Sequence, residues 1–206
     1  QGKRYVFSGD IGRDNDFLLE DPNKPEKADV LFIESTYGNR IHKKGDVKEK
    51  LKKIINETIH KGGNIIIPCF AVERTQTLMY LLYHLRESGE IPFIPLVMDS
   101  PMASKVLALF DDYKDWHNID QDEFDRISKS FQIVETIKDT WNVINNKTSK
   151  VIVAGSGMIT GGRVLTYLQQ FLDKPETSIV ITGYQAEGTR GRALLEGTHE
   201  LKIYGK

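Results

Sequence analysis

Short apolar, β-branched runs alternate with helical patterns along this chain, and that alternation limits the available folds more than any other feature. Strand-type runs lie at Arg4 to Gly9, Asp29 to Glu34, Asn64 to Phe70, Ile94 to Met98, Lys150 to Ala154, Ser178 to Thr182 and Leu201 to Tyr204. In DVKEKLKKIINETIHKGG, Asp46 and Glu49 have capping-box spacing. Val47, Leu51, Ile54, Ile55, Thr58 and Ile59 share one helical face, and Gly62 and Gly63 end the helix. A second helix runs from about Glu73 to Ser88 with Leu78, Leu81, Leu82 and Leu85 inward; Ser100 and Pro101 supply the cap and first-turn proline of a third. Strands separated by helices need crossover connections, so the expected fold is α/β, a mostly parallel sheet with helices on both faces. The charged stretch from Asp111 to Asp122, with its lone Trp116, reads as a surface excursion rather than a second domain.

In an open α/β sheet, ligands gather beyond the carboxyl ends of the strands. Four strand-to-helix corners carry similar chemistry there: PCFAVERTQ, MDSPMAS, AGSGMITGGR and TGYQAEGTRGR. Together they place Arg74, Ser100, Ser156, Gly157, Thr160, Arg163, Arg190 and Arg192 as candidate phosphate-binding residues, enough for several phosphates in a row. The plainer reading is that Arg74 and Arg163 pair with carboxylates while the glycines turn corners. For any one loop that reading is preferred; for four loops together it is not. The formal net charge of -1 means that a polyanion would have to be met by local arginines rather than by the overall field. No corner has the Gly-Lys-Ser/Thr of a Walker loop or a Gly-x-Gly-x-x-Gly with a downstream acid, which disfavours a nucleotide-binding module.

Two acids end strand-type runs: Asp10 in FSGDIG and Glu34 in ESTYG. Each is a site candidate, and equally a turn former or an ion-pair partner. His42, His60, His84, His117 and His199 are scattered singly, without metal-ligand spacing, and read as surface residues. The single Cys69 excludes an intramolecular disulfide and suits a reducing, cytoplasmic setting. No apolar run has transmembrane length, so no membrane partner is expected. The chain opens at QGKRYVFSGD and closes at HELKIYGK in strand character, from which a piece of a longer polypeptide is expected.

FSGDIG, ESTYG, IPCFAVERTQ, DSPMASKV, GSGMITGGR and TGYQAEGTRGR, in this order, resemble the β-CASP branch of the metallo-β-lactamase superfamily, the RNA-processing nucleases. The likeness is greatest to prokaryotic relatives of the endonuclease subunit that cleaves pre-mRNA before polyadenylation. The resemblance implies an αββα hydrolase core with an inserted β-CASP domain, and two zinc ions in the cleft between them. It implies that residues 1–38 carry strands of the core and that residues 39–206 are the β-CASP domain, its end running back toward the core. It assigns Asp10 to the metal and Glu34 to the acid that orients a proton-donating histidine. The remaining family histidines, expected before Asp10 and after Lys206, are absent from this chain. The implied function is RNA binding within a zinc-dependent ribonuclease, the chain alone being inactive. The alternative is a catalytically empty homologue acting as an RNA-binding or scaffold subunit. Homodimerisation of the parent stays open.

Overall fold

In the computed structural model, which describes residues 2–14, 16–39, 41 and 45–205, the elements alternate. They are β1 (Tyr5–Phe7), β2 (Val30–Phe32), α1 (Val47–His60), β3 (Ile65–Pro68), α2 (Arg74–Glu87), β4 (Leu96–Asp99) and α3 (Pro101–Asp112). After a short 3-10 turn at Lys114–Trp116 come α4 (Gln121–Lys129), β5 (Phe131–Ile133), α5 (Ile137–Asn145), β6 (Val151–Ala154), α6 (Val164–Phe171), β7 (Ser178–Ile179) and α7 (Arg190–Leu195). The fold class is α/β. Five strands form one sheet in the order β5-β4-β6-β3-β7, and β1 and β2 form a second, two-stranded sheet. Every strand pair is parallel.

Every residue of β3, β4 and β6 is buried, as parallel strands covered on both faces require. Alternate side chains enter two separate cores. Ile65, Ile67, Leu96, Met98, Val151 and Val153 pack with Leu51 and Ile55 of α1, with the leucines of α2 and with Phe124 and Ile127 of α4. Ile66, Val97, Ile152 and Ala154 pack with Val143 and Ile144 of α5 and with Val164, Leu165 and Leu168 of α6. β6 runs between β3 and β4, so the chain leaves β3 toward one edge and later returns through the middle. That return makes the carboxyl edge of β3, β6 and β4 the switch point of the sheet.

Local signals behave as their chemistry dictates. The Asp46 carboxylate accepts from the Lys48 and Glu49 amides, and the Ser100 hydroxyl accepts from Ala103 N–H ahead of Pro101. Gly62 takes a positive φ of 75°, and a Cβ on Gly63 would lie 1.8 Å from Glu176 O. Trp116 is exposed on its excursion.

Two readings are corrected, and one strand joins those expected. Leu201 to Tyr204 is not a strand: Ile203 is buried as loop in the second core, and Tyr204 turns at a φ of 49°. β5 carries no strand signal because only three residues pair and Gln132 between them is exposed. His117 is buried, not superficial; its ring stacks between Phe110 and Phe124, and its Nδ1 accepts from Ile119 N–H. His42 lies outside the described residues.

The connection from β1 to β2 folds onto the larger sheet's first core. Asp16 Oδ1 accepts from the Leu18 and Leu19 amides, Leu19 pairs antiparallel with His117, and Asn118 N–H donates to Leu18 O at 2.7 Å. Leu18 itself is fully buried in the core formed with α1, α2 and α4. Leu18→Ala is therefore expected to cost about 2–5 kcal/mol in denaturant unfolding, whereas an exposed connection would leave stability unchanged.

Candidate functional site

The carboxyl ends of β3, β4 and β6 open into a cleft of about 600 Å³. Ser100, Ser156, Gly157 and Arg163 line it together, and so do Phe70 and Asp99, which the sequence reading did not single out. Both left a signal. Asp99 ends a buried strand, the feature that drew attention to Asp10 and Glu34. Phe70 explains a glycine: a Cβ on Gly157 would come within 2.5 Å of its ring. Cys69 also lines the cleft, but burial pushes its thiol up to about 11, so it is not a thiolate near neutrality.

The loop from Gly155 to Arg163 spends four of its nine amides, those of Ser156, Ile159, Thr160 and Gly161, on acceptors within the loop. Ser156 N–H donates to Gly161 O, the Thr160 and Gly161 amides donate to Ser156 Oγ, and Val164 N–H donates to Gly155 O at 2.7 Å. Gly162 takes a positive φ of 73° and sits so close to Gly155 O that a Cβ would reach 2.6 Å. The glycines therefore close a tight loop, and these amides are not directed outward for an anion. Thr160 is exposed on the rim, 3.2 Å from the Ser156 hydroxyl.

Arg163 meets a buried carboxylate. Asp99 is fully buried, and its Oδ2 accepts 2.7 Å hydrogen bonds from the Thr140 and Tyr167 hydroxyls. Its Oδ1 has no hydrogen bond and lies 3.6 Å from Arg163 Nε. Burial pushes the Asp99 carboxyl up; the two hydroxyls and the Arg163 charge oppose that shift. Burial, followed by the Asp99 charge, raises Tyr167 and keeps its hydroxyl protonated as a donor. The Arg163 guanidinium also reaches Thr140 Oγ1 and Glu135 O, which leaves one N–H on each Nη without an acceptor among the described residues. It belongs to the cleft wall first and can offer a ligand only that remaining edge.

The other arginines divide. Arg74, half-buried at the start of α2, has no side-chain hydrogen bond or ion pair among the described residues. Arg190 donates to the carbonyls of Lys202, Ile159 and Thr160, holding the loop where Ile159 adopts a φ of 59°. Arg192 pairs with Glu196 one turn along α7 at 2.6 Å, an interaction that raises its pKa. For Arg190 and Arg192 the structure supplies a protein partner where the sequence suggested phosphate.

The acids belong to the two-stranded sheet. Glu34 follows β2, and its two oxygens accept from the Ile11 amide at 3.2 Å and the Thr36 amide at 3.1 Å. Ile11 adjoins Asp10, so this carboxylate fixes the loop that presents Asp10, which is itself exposed. Hydrogen bonds from Thr36, then Ile11, hold the Glu34 carboxyl below the usual range, and the group is ionised near neutral pH. Glu34 lines a second, polar cavity of about 680 Å³ with Ser35, Thr36, Gly38, Asn39 and Tyr184. Among the described residues, no group of three or more His, Cys, Asp or Glu side chains is placed to hold a metal ion.

The sheet thus carries a cleft of small-molecule size at its switch point, and an ionised acid stands beside a second cavity. The Beta-Casp domain family matches residues 75–194, and the chain belongs to that family. It is 34% identical to Ribonuclease TTHA0252 of Thermus thermophilus, over all of this chain and 49% of that protein. It is 35% identical to the RNase J-like protein of Methanocaldococcus jannaschii (98% of this chain, 48% of that one), and 32% to Transcription termination factor FttA of Methanosarcina mazei (98% and 33%). The chain thus spans about half the length, or less, of these relatives.

Two outcomes follow from the geometry. Arg163→Ala leaves Asp99 buried without its cation and should cost about 3 kcal/mol in thermal or denaturant unfolding. The Glu34 pKa is depressed in the fold, so its hydrogen bonds contribute stability above the unfolded carboxyl value. They are lost as pH falls through the folded value. Amide exchange at Ile11 and Thr36, followed by NMR, should accelerate in acid relative to the β3 amides.

Proposed function

We propose that this chain is the RNA-gripping part of a metal-dependent ribonuclease that hydrolyses phosphodiester bonds, with zinc as the metal. The observation that carries the reading is the Glu34 carboxylate, held ionised and hydrogen-bonded to the amide beside Asp10, at the mouth of a polar cavity shared with the loop after β7. Relatives named as ribonucleases support the reaction class and RNA as the substrate.

The described residues do not assemble a metal centre, because Asp10 has no companion ligands of the required kind. A catalytic zinc takes three protein ligands plus water, so further ligands would have to come from outside the described residues. What this chain's own groups do is narrower. Glu34, as an ionised acceptor, can orient a proton-bearing side chain toward the leaving oxygen. Arg74 and the free edge of Arg163 can meet the RNA backbone by charge-assisted hydrogen bonds. A cytoplasmic setting belongs to the same proposal, supported by the single, buried and unbridged Cys69. Among the described residues no helix is long and apolar enough to cross a membrane. Homodimerisation of the whole protein is compatible with the reading and is not needed by it.

The deciding experiment uses the full-length protein. Glu34→Gln keeps the shape and removes the charge, and it should lower the turnover rate on single-stranded RNA by roughly 10²- to 10⁴-fold. Affinity for RNA measured with a chelator present should barely change. An unaltered rate would return Glu34 to the task of tying β1 to β2.

A further inference from the structure

The cavity beside Glu34 spans from the end of β2 to the loop after β7, and Tyr184 is the one aromatic side chain among its described lining residues. That side chain is held from both directions along the chain. Gln185 is buried, and its Nε2 donates to Gly157 O at 2.9 Å and to Gly183 O at 3.3 Å. Gly183 lies against Phe70, close enough that an added Cβ would touch the ring at 3.6 Å. The Tyr184 ring meets Tyr37 edge to face, with centroids 5.9 Å apart and planes at 90°. A ring serving the core would be buried; Tyr184 is only half-buried and faces polar groups.

Charge decides what the cavity can take. Among the described lining residues Glu34 is the one charged side chain, and its hydrogen bonds to Ile11 and Thr36 favour the ionised form. A phosphate placed there would be repelled. A nucleobase carries no charge and has a face that stacks on an aromatic ring. The volume, about 680 Å³, is in the roughly 300–1,000 Å³ range of small-molecule sites.

We propose that Tyr184 is a stacking platform for a nucleobase of the bound RNA, fixing one nucleotide next to Glu34 while its phosphates lie outside the cavity. The proposal rests on the ribonuclease reading. Because every base has a π-face, the platform adds affinity without selecting sequence. Because stacking neutralises no phosphate, it leaves the salt dependence of binding unchanged.

The test is RNA affinity of the full-length protein, measured with a chelator present so that the strand stays intact. An ordinary single-stranded oligonucleotide is compared with one carrying abasic positions throughout. Tyr184→Leu should weaken ordinary RNA by about tenfold to a hundredfold, with the same slope of log affinity against log salt. Tyr184→Phe should bind like the parent. Abasic RNA should erase the difference between parent and leucine variant. Equal affinity of the two for ordinary RNA, or a loss that persists with abasic RNA, overturns the platform alone. Failure of the parent to bind any RNA overturns the ribonuclease reading as well. Should the leucine variant unfold, Tyr184→Trp decides: its emission must be quenched by ordinary RNA and not by abasic RNA, and equal quenching overturns the proposal.

Discussion

Parallel pairing among β3, β6 and β4 sets Pro68, Ala154 and Asp99 side by side at one edge of the sheet, and the cleft exists because of that register. These strands are only four residues long, so a slip of one residue would exchange the two cores and drive each apolar side chain to the wrong face. With both faces buried, the register has no cheap alternative. Cys69, Phe70, Asp99, Ser100, Gly155 and Ser156, all at or just beyond the ends of these strands, line the cleft together. The sheet thereby converts positions far apart in the chain into one wall.

At that edge the fold accepts a buried charge and then surrounds it. Asp99 is taken out of water among Thr140, Tyr167 and Arg163, from α5, α6 and the loop between β6 and α6. A buried carboxylate costs several kcal/mol unless it is paired and hydrogen-bonded, so these partners join both sides of the loop to the second core. The neighbouring glycines serve the same compactness. Gly157 makes room for the Phe70 ring, Gly162 for a carbonyl, and Gly191 for the Gln185 side chain. Their substitution would disturb packing before it disturbed any ligand.

The two-stranded sheet contributes one wall of the second cavity. Glu34 joins the ends of β1 and β2 through Ile11 and Thr36, while Leu18 anchors the intervening connection in the large core. The acid and Tyr184 therefore face one cavity although they lie 150 residues apart in the sequence. The family match spans both cavity-lining loops after β6 and β7, and the relatives include proteins named as ribonucleases.

Local chemistry made a large part of this legible from the sequence. Uninterrupted apolar runs betrayed the buried strands, Asp46 and Ser100 marked helix starts, and ordered motifs carried the family, because each depends on neighbours only a few residues away. Short β5, with one buried residue, and the coil ending at Tyr204 escaped because their structure depends on what they pack against. The arginines show the same division more sharply. The sequence determined that Arg74, Arg163, Arg190 and Arg192 stand near the carboxyl edge, but only the tertiary structure decided that Asp99, the carbonyls of Lys202, Ile159 and Thr160, and Glu196 engage three of them. A guanidinium binds whichever acceptor the fold brings within about 3 Å, and that distance is set by long-range packing rather than by spacing along the chain.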